Sequence, residues 1–237
     1  MAIKQECERI LAQLKKYKEE TACLGVVLGI SGGKDSTTVA MLAKAVWGDK
    51  VLGVLMPNGE QKDLDDSLEI CRQLALSYYV VNIRDAFDGL LGAIPAEISD
   101  KSKTNIPPRL RMTTLYAIGQ TMGYRVIGTG NASEGYIGWT TKWGDSAYDL
   151  NPIGSLTCSE VVELGVYLAE QMGLDPAFVV KPPSDGLTGK TDEDNFGFTY
   201  AELDAYIKTG KGNPETIEKI EKMHRASAHK RAMPLKF

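Results

Sequence analysis

Residues 23–47 read CLGVVLGISGGKDSTTVAMLAKAVW, and this stretch decides the fold. The apolar run 23–30 fits a buried strand, and 36–47 reads as a helix that stops near Gly48. Between them lies Gly29-Ile30-Ser31-Gly32-Gly33-Lys34-Asp35-Ser36. Two adjacent glycines allow positive φ angles and close backbone approach. Successive amides at the start of a helix then form an anion-binding nest. Ser31 and Ser36 add hydroxyl donors and Lys34 adds a point charge, which makes phosphate the expected ligand. The loop is not a Walker A motif, because Asp35 stands where Ser or Thr would follow the Lys. A carboxylate inside a phosphate nest implies Mg²⁺ between itself and a polyphosphate. A plain strand-to-helix turn would leave both the serines and the acid unexplained.

Outward from the loop, the chain alternates strand and helix. An amphipathic helix is expected over 3–20, where Ile3, Cys7, Ile10, Leu11, Leu14 and Tyr17 recur at spacings of three and four. Further strands are expected at 50–56, 78–83 and 125–130, and helices at 63–76, from Pro107 to about 122, and from Thr157 to near Gly173. Two closing helices are expected at about 199–208 and 214–229. The alternation predicts a parallel sheet covered on both faces, as one domain over 1–237. Two irregular polar stretches, 131–155 and 181–198, read as functional loops. Ligands of such sheets bind beyond the carboxyl ends of the strands, where the loops after the first and fourth strands lie.

Composition narrows the class. Lys and Arg number 27 against 31 Asp and Glu, a net charge of −4, which disfavours a general nucleic-acid or membrane binder. The apolar runs are far below the roughly 18 residues that span a bilayer, and the N-terminus lacks a secretory pattern. Cys7, Cys23, Cys71 and Cys158 are scattered without CxxC spacing, as expected of reduced thiols in a cytoplasmic protein.

The residues SGGKDS at 31–36 resemble the SGGxDS signature of the PP-loop ATP pyrophosphatases, which cleave ATP between its α and β phosphates. Within that group, residues 128–134 (GTGNASE), 141–145 (TKWGD), 149–152 (DLNP), 183–187 (PSDGL), 191–194 (TDED) and 229–231 (HKR) resemble the NAD synthetase family in order and spacing. The resemblance implies a three-layer α/β/α fold of the adenine nucleotide alpha hydrolase type. It implies a ligase that adenylates the nicotinate carboxylate of deamido-NAD with ATP and then lets ammonia displace AMP. Residue by residue it implies that Gly29, Ile30, Ser31, Gly32, Gly33, Lys34, Asp35, Ser36, Thr129, Cys158 and Ser184 bind ATP. Asp35, Lys34 and Ser31 are its expected catalytic residues, Asp35 and Glu134 its Mg²⁺ ligands, and Arg109, Lys142, Asp149, His229 and Lys230 its deamido-NAD contacts. Arg111, two positions from Arg109, falls outside the expected site.

One position departs from the family, which often carries an ATP-contacting Lys where this chain has Cys158. A neighbouring cation such as Lys34 or Lys190 then has to substitute, or the contact is lost. All 237 residues are used by the synthetase part, so no glutaminase domain and the use of free ammonia are expected. The family is usually a homodimer, for which the first helix and the helices after the first loop are candidate contacts. Other PP-loop amidotransferases, tRNA-thiolating enzymes and a non-catalytic nucleotide sensor are the alternatives. No basic face supports RNA, and keeping both Asp35 and Glu134 argues against a mere sensor.

Overall fold

The computed structural model describes residues 3–60, 64–180 and 191–236. Helix α1 (Ile3–Glu20) turns Cys7, Ile10 and Leu14 inward. Strand β1 (Val26–Gly29) leads into helix α2 (Lys34–Trp47), and strand β2 (Val51–Leu55) into helix α3 (Leu64–Gln73). Strand β3 (Ser77–Val80) is followed by helices α4 (Arg84–Ala93), α5 (Asp100–Lys103) and α6 (Ile106–Met122), then strand β4 (Arg125–Val126) and helix α7 (Ala132–Ile137). Helices α8 (Cys158–Met172), α9 (Ala177–Val180), α10 (Asp192–Phe196), α11 (Tyr200–Thr209), α12 (Pro214–Ala226) and α13 (Ala228–Arg231) complete the described chain.

The four strands form one parallel sheet in the order β3-β2-β1-β4. Ile127 adds a parallel bridge to Leu150 beyond β4. Successive strand side chains point to opposite faces, and the core divides accordingly. Val26, Leu28, Ile30, Val51 and Leu55 pack with Ile10, Leu14, Val39, Leu42, Ile70, Val161 and Leu164 of α1, α2, α3 and α8. Val27, Leu52, Val54, Met56 and Val126 face the other way, onto Leu110, Leu115 and Ile118 of α6. The expected α/β/α layering and parallel sheet are therefore present. A second apolar cluster joins Ile137, Cys158, Phe196, Phe198, Tyr200, Leu203 and Ile220, and so binds α7, α10, α11 and α12 to the head of α8.

The structure departs from the sequence reading in several places. The fourth strand, expected at 125–130, ends at Val126, and helix α10 lies within the stretch 181–198 read as a loop. The stretch 131–155 is not wholly irregular, because Asn131 and Glu134 close a capping box that starts α7. Helices α4 and α5 occupy a stretch with no assigned element. The closing helix breaks at Ser227 into α12 and α13. The third strand is shorter than expected and exposed at every residue, because it is the sheet edge. Residues 181–190, with Ser184 and Lys190, lie outside the described residues.

Close approach of α8 to α2 depends on Gly165. A Cβ there would stand 2.5 Å from Thr38 Oγ1 and 2.5 Å from Val179 Cγ1. Both neighbours are buried and cannot swing away. Gly165→Ala is therefore expected to lower the unfolding free energy by about 2 kcal/mol through overpacking, read as a lower urea midpoint. An unchanged midpoint would refute the tight contact.

Candidate active site

The site begins where β1 ends. Ile30 N donates to Val54 O at 3.1 Å, prolonging the strand pairing by one residue. Gly32 then takes φ +81°, a conformation that favours glycine, and turns the chain into α2. Gly33 is extended, so of the two adjacent glycines Gly32 alone has a positive φ. The loop is internally braced: Ser31 N donates to Ser36 Oγ at 3.3 Å, Gly33 N to Ser31 Oγ at 3.4 Å, and Ser36 Oγ to Gly33 O at 3.1 Å. Thr37 Oγ1 also donates to Gly33 O at 2.8 Å. These bonds hold the loop at the N-terminus of a 14-residue helix, whose dipole favours an anion.

The loop after β4 meets it. Asn131 Oδ1 accepts from Glu134 N at 3.0 Å and caps α7, while Glu134 Oε2 accepts from Asn131 N at 3.0 Å. The Asn131 amide nitrogen donates to Asp35 Oδ1 at 3.0 Å. Asn131 thus ties together the two acids expected to hold a metal. The segment beyond props this turn: Gly128 N donates to Leu150 O at 2.8 Å, Asn151 Nδ2 to Gly130 O at 2.8 Å, and Ala132 N to Leu156 O at 2.7 Å. Thr129 lies half-buried in the same turn.

Lys34 is the first residue of α2, yet its side chain is only 4% exposed. Its Nζ donates to Asp35 Oδ2 at 2.7 Å and lies 5.4 Å from the centroid of the Tyr200 ring. Burial alone would disfavour the ammonium, but the carboxylates of Asp35 and Glu134 outweigh it and hold Lys34 protonated well above its usual range. Glu134 is pushed up, first by burial and then by the like charge of Asp35. Cys158, at the head of α8, is buried in the aromatic cluster, and its thiol is pushed up to about 12, chiefly by burial. It supplies no charge, whereas Lys34 lies near enough to act on it electrostatically.

Among the described residues, no group of three or more His, Cys, Asp or Glu side chains is disposed to hold a metal. Asp35 and Glu134 fit a cation that takes its remaining ligands from phosphate and water. A cation between the two acids would relieve the like charge of Asp35, which adds to burial in raising Glu134.

A second cluster lies around α13. Arg109 Nε and Nη2 both donate to Lys142 O at 3.3 Å. Lys142 Nζ in turn donates to His229 O at 2.5 Å and Ala232 O at 3.2 Å. Lys230 Nζ donates to Gly138 O at 2.8 Å and Thr140 O at 2.6 Å. Arg109, Lys142, His229 and Lys230 are thus brought together. Asp149 is not: its Oδ2 accepts from Val126 N at 2.8 Å, at the sheet edge. Arg111 is held apart from Arg109, its Nε donating to Met56 O at 3.1 Å.

Sequence reasoning missed the residues that join distant segments. Asn131 was legible as the start of a capping box. Ser133 and Asp204 gave no local signal. Asp204 accepts from Ser133 Oγ at 2.5 Å and from Ser159 N at 2.8 Å, while Ser133 Oγ accepts from Cys158 N at 3.0 Å. A buried carboxylate and hydroxyl thereby cap α8 and lock α7 and α11 to it.

Residues 6–234 match the family model described as NAD synthase. The NH(3)-dependent NAD(+) synthetase of Carboxydothermus hydrogenoformans is 40% identical over 236 residues, covering 97% of this chain and 96% of that protein. Among solved structures, the NMN synthetase of Francisella tularensis superposes with a TM-score of 0.92 at 34% identity, covering 100% of this chain and 98% of that one. The NH3-dependent NAD synthetase of Campylobacter jejuni superposes with a TM-score of 0.81 at 29% identity, covering 100% and 99%.

Asn131→Ala removes both the α7 cap and the tether on Asp35. The expected loss is about 1 kcal/mol of unfolding free energy from the cap alone, measured by chemical denaturation. An Asn131→Ala protein as stable as the wild type would show that the cap carries no weight.

Proposed function

The chain belongs to the NAD synthase family, and from that premise we propose that it amidates the nicotinate carboxylate of deamido-NAD with ammonia, driven by ATP. The observation that carries the reading is the braced loop 29–36 at the N-terminus of α2, whose Asp35 is tied through Asn131 to Glu134. The loop amides, Ser31, Ser36 and Lys34 bind the ATP phosphates. Thr129 and the head of α8 at Cys158 border the nucleotide, and Ser184 belongs to the same set. Asp35 and Glu134 would hold Mg²⁺, which neutralises the polyphosphate when bound. Arg109, Lys142, His229 and Lys230 fix one part of the acid substrate, and Asp149, held at the β4 edge, contacts a separate part of it.

In this reading a carboxylate oxygen attacks the α-phosphorus as the bond to pyrophosphate breaks. Ammonia nitrogen then attacks the carbonyl carbon, AMP leaves, and a proton is lost from the nitrogen. The residues named position two anions that would otherwise repel, and the oriented amides stabilise the charge that develops on phosphate. Free ammonia is the nitrogen donor in this reading, and relatives matched over nearly their whole length carry that dependence in their names. No helix among the described residues is long and apolar enough to cross a membrane, and a cytoplasmic setting is part of the proposal.

A homodimer is also part of it. The outer edge of β3 exposes Tyr78, Tyr79 and Val80, and α4 buries none of its residues and exposes Leu90. An unpaired sheet edge carrying apolar side chains is a surface that calls for a cover. Helix α1 is not a candidate by this measure, because its apolar face is spent on the core. Tyr79→Asp is expected to shift the sedimenting species from dimer to monomer. A monomeric wild type would refute the dimer.

The likeness to the Francisella tularensis structure supports a second reading, in which the acid is nicotinate mononucleotide and the chemistry is unchanged. Incubating the protein with ATP, Mg²⁺, ammonium and either acid separates the two. NAD, AMP and pyrophosphate are expected from deamido-NAD, and faster turnover of the mononucleotide would replace the first reading by the second. Products ADP and phosphate would overturn both. Asp35→Ala should lower kcat by about 10²–10³-fold, in line with the loss of one electrostatic stabiliser, while leaving the circular dichroism spectrum unchanged.

A further inference from the structure

Lys34 is placed oddly for a residue whose task is to greet a phosphate from solvent. Its side chain is buried, its ammonium is bonded to Asp35 Oδ2, and the face of Tyr200 lies against it. Lysine is almost never so buried unless paired. Asp35 is equally committed. One carboxylate oxygen takes the Lys34 ammonium and the other takes the Asn131 amide. A divalent cation that binds Asp35 must therefore meet or displace one of these partners.

The two partners are not equally free to leave. Asn131 is fixed at three points: its Oδ1 caps α7, its backbone nitrogen bonds to Glu134, and its amide nitrogen reaches Asp35. Moving it uncaps the helix that carries Glu134. Lys34 has four rotatable side-chain bonds and keeps a second cation-binding surface, the Tyr200 ring, within reach. Tyr200 is itself held, its hydroxyl donating to Asp192 Oδ2 at 3.0 Å.

We propose that Lys34 is an exchangeable counterion of the two-carboxylate site: its ammonium holds Asp35 in place when no metal is bound, competes with Mg²⁺ for that carboxylate, and turns toward the phosphate loop when displaced. The inference rests on the reading of the site as one for Mg²⁺ and ATP. It assigns Lys34 a positioning role that acts through Asp35. The Asp35–Lys34 ion pair offsets the repulsion between Asp35 and Glu134, so the acids stay close without metal. The same pair makes metal binding weaker than two bare carboxylates would give.

The test is Mg²⁺ binding without nucleotide, by titration calorimetry, on the wild type and on Lys34→Gln and Lys34→Met. Removing a unit charge a few ångströms from the metal should tighten binding by about ten-fold or more, and the metal-free variants should melt below the wild type. Unchanged or weaker Mg²⁺ affinity in the variants overturns the proposal. A second measurement needs no variant. In ¹⁵N-lysine-labelled wild type, the Lys34 ammonium protons should be protected from exchange without metal and lose that protection on Mg²⁺ addition. Protection that persists with Mg²⁺ bound overturns it as well. A wild type that binds no Mg²⁺ even with ATP present refutes the reading of the site itself, whereas metal binding with equal affinity in all three proteins refutes only the role of Lys34.

Discussion

The hydrogen bond from Asn131 to Asp35 is the contact on which the rest of the site depends. It joins the turn after β1 to the turn after β4, two segments 96 residues apart. A parallel sheet makes this junction possible, because all four strands release their chains at one edge. Strands β1 and β4 are neighbours in the sheet, so their turns open side by side. Two acids from those turns then face the same space. Glu134 is pushed up first by burial and then by the like charge of Asp35, and the Lys34 charge works against both.

The second apolar cluster gives the site its wall. Phe196 packs edge-on against Trp139 at 4.8 Å and against Tyr200 at 5.5 Å. Tyr200 in turn supplies the face against which the Lys34 ammonium lies. The cluster reaches the sheet domain through the head of α8, where Ser133 and Asp204 satisfy backbone amides that a helix start leaves unpaired. Removing water from this region strengthens every charge interaction within it. A protein of net charge −4 can in this way present cations and oriented amides to polyanionic ligands at one place.

Much of this was legible in the chain. The turn at 29–36 could be read because it is local, made of adjacent residues with short-range φ and hydrogen-bond requirements. The buried strands 26–29 and 51–55 could be read because alternate residues serve opposite faces and both faces are covered. The third strand was legible as a strand, but not as an edge. Its aromatic and β-branched residues signal extended backbone equally well with or without a covering layer. The capping box at Asn131 was present in the sequence and was overshadowed by the glycine- and threonine-rich residues around it.

The sequence by itself determined the class of fold, the strand-to-helix glycine loop and the family resemblance, since each rests on residues close in the chain or on ordered motifs. Only the tertiary structure decided that Lys34 turns inward to Asp35, that Asn131 bridges the acids, and that Asp204 caps a helix 45 residues away. It also decided that Asp149 stands apart from the Arg109 and Lys142 cluster. The reason is physical. Where a charged side chain points is set by which partners the folded chain brings within about 3 Å of it, and those partners come from segments whose nearness no local pattern records.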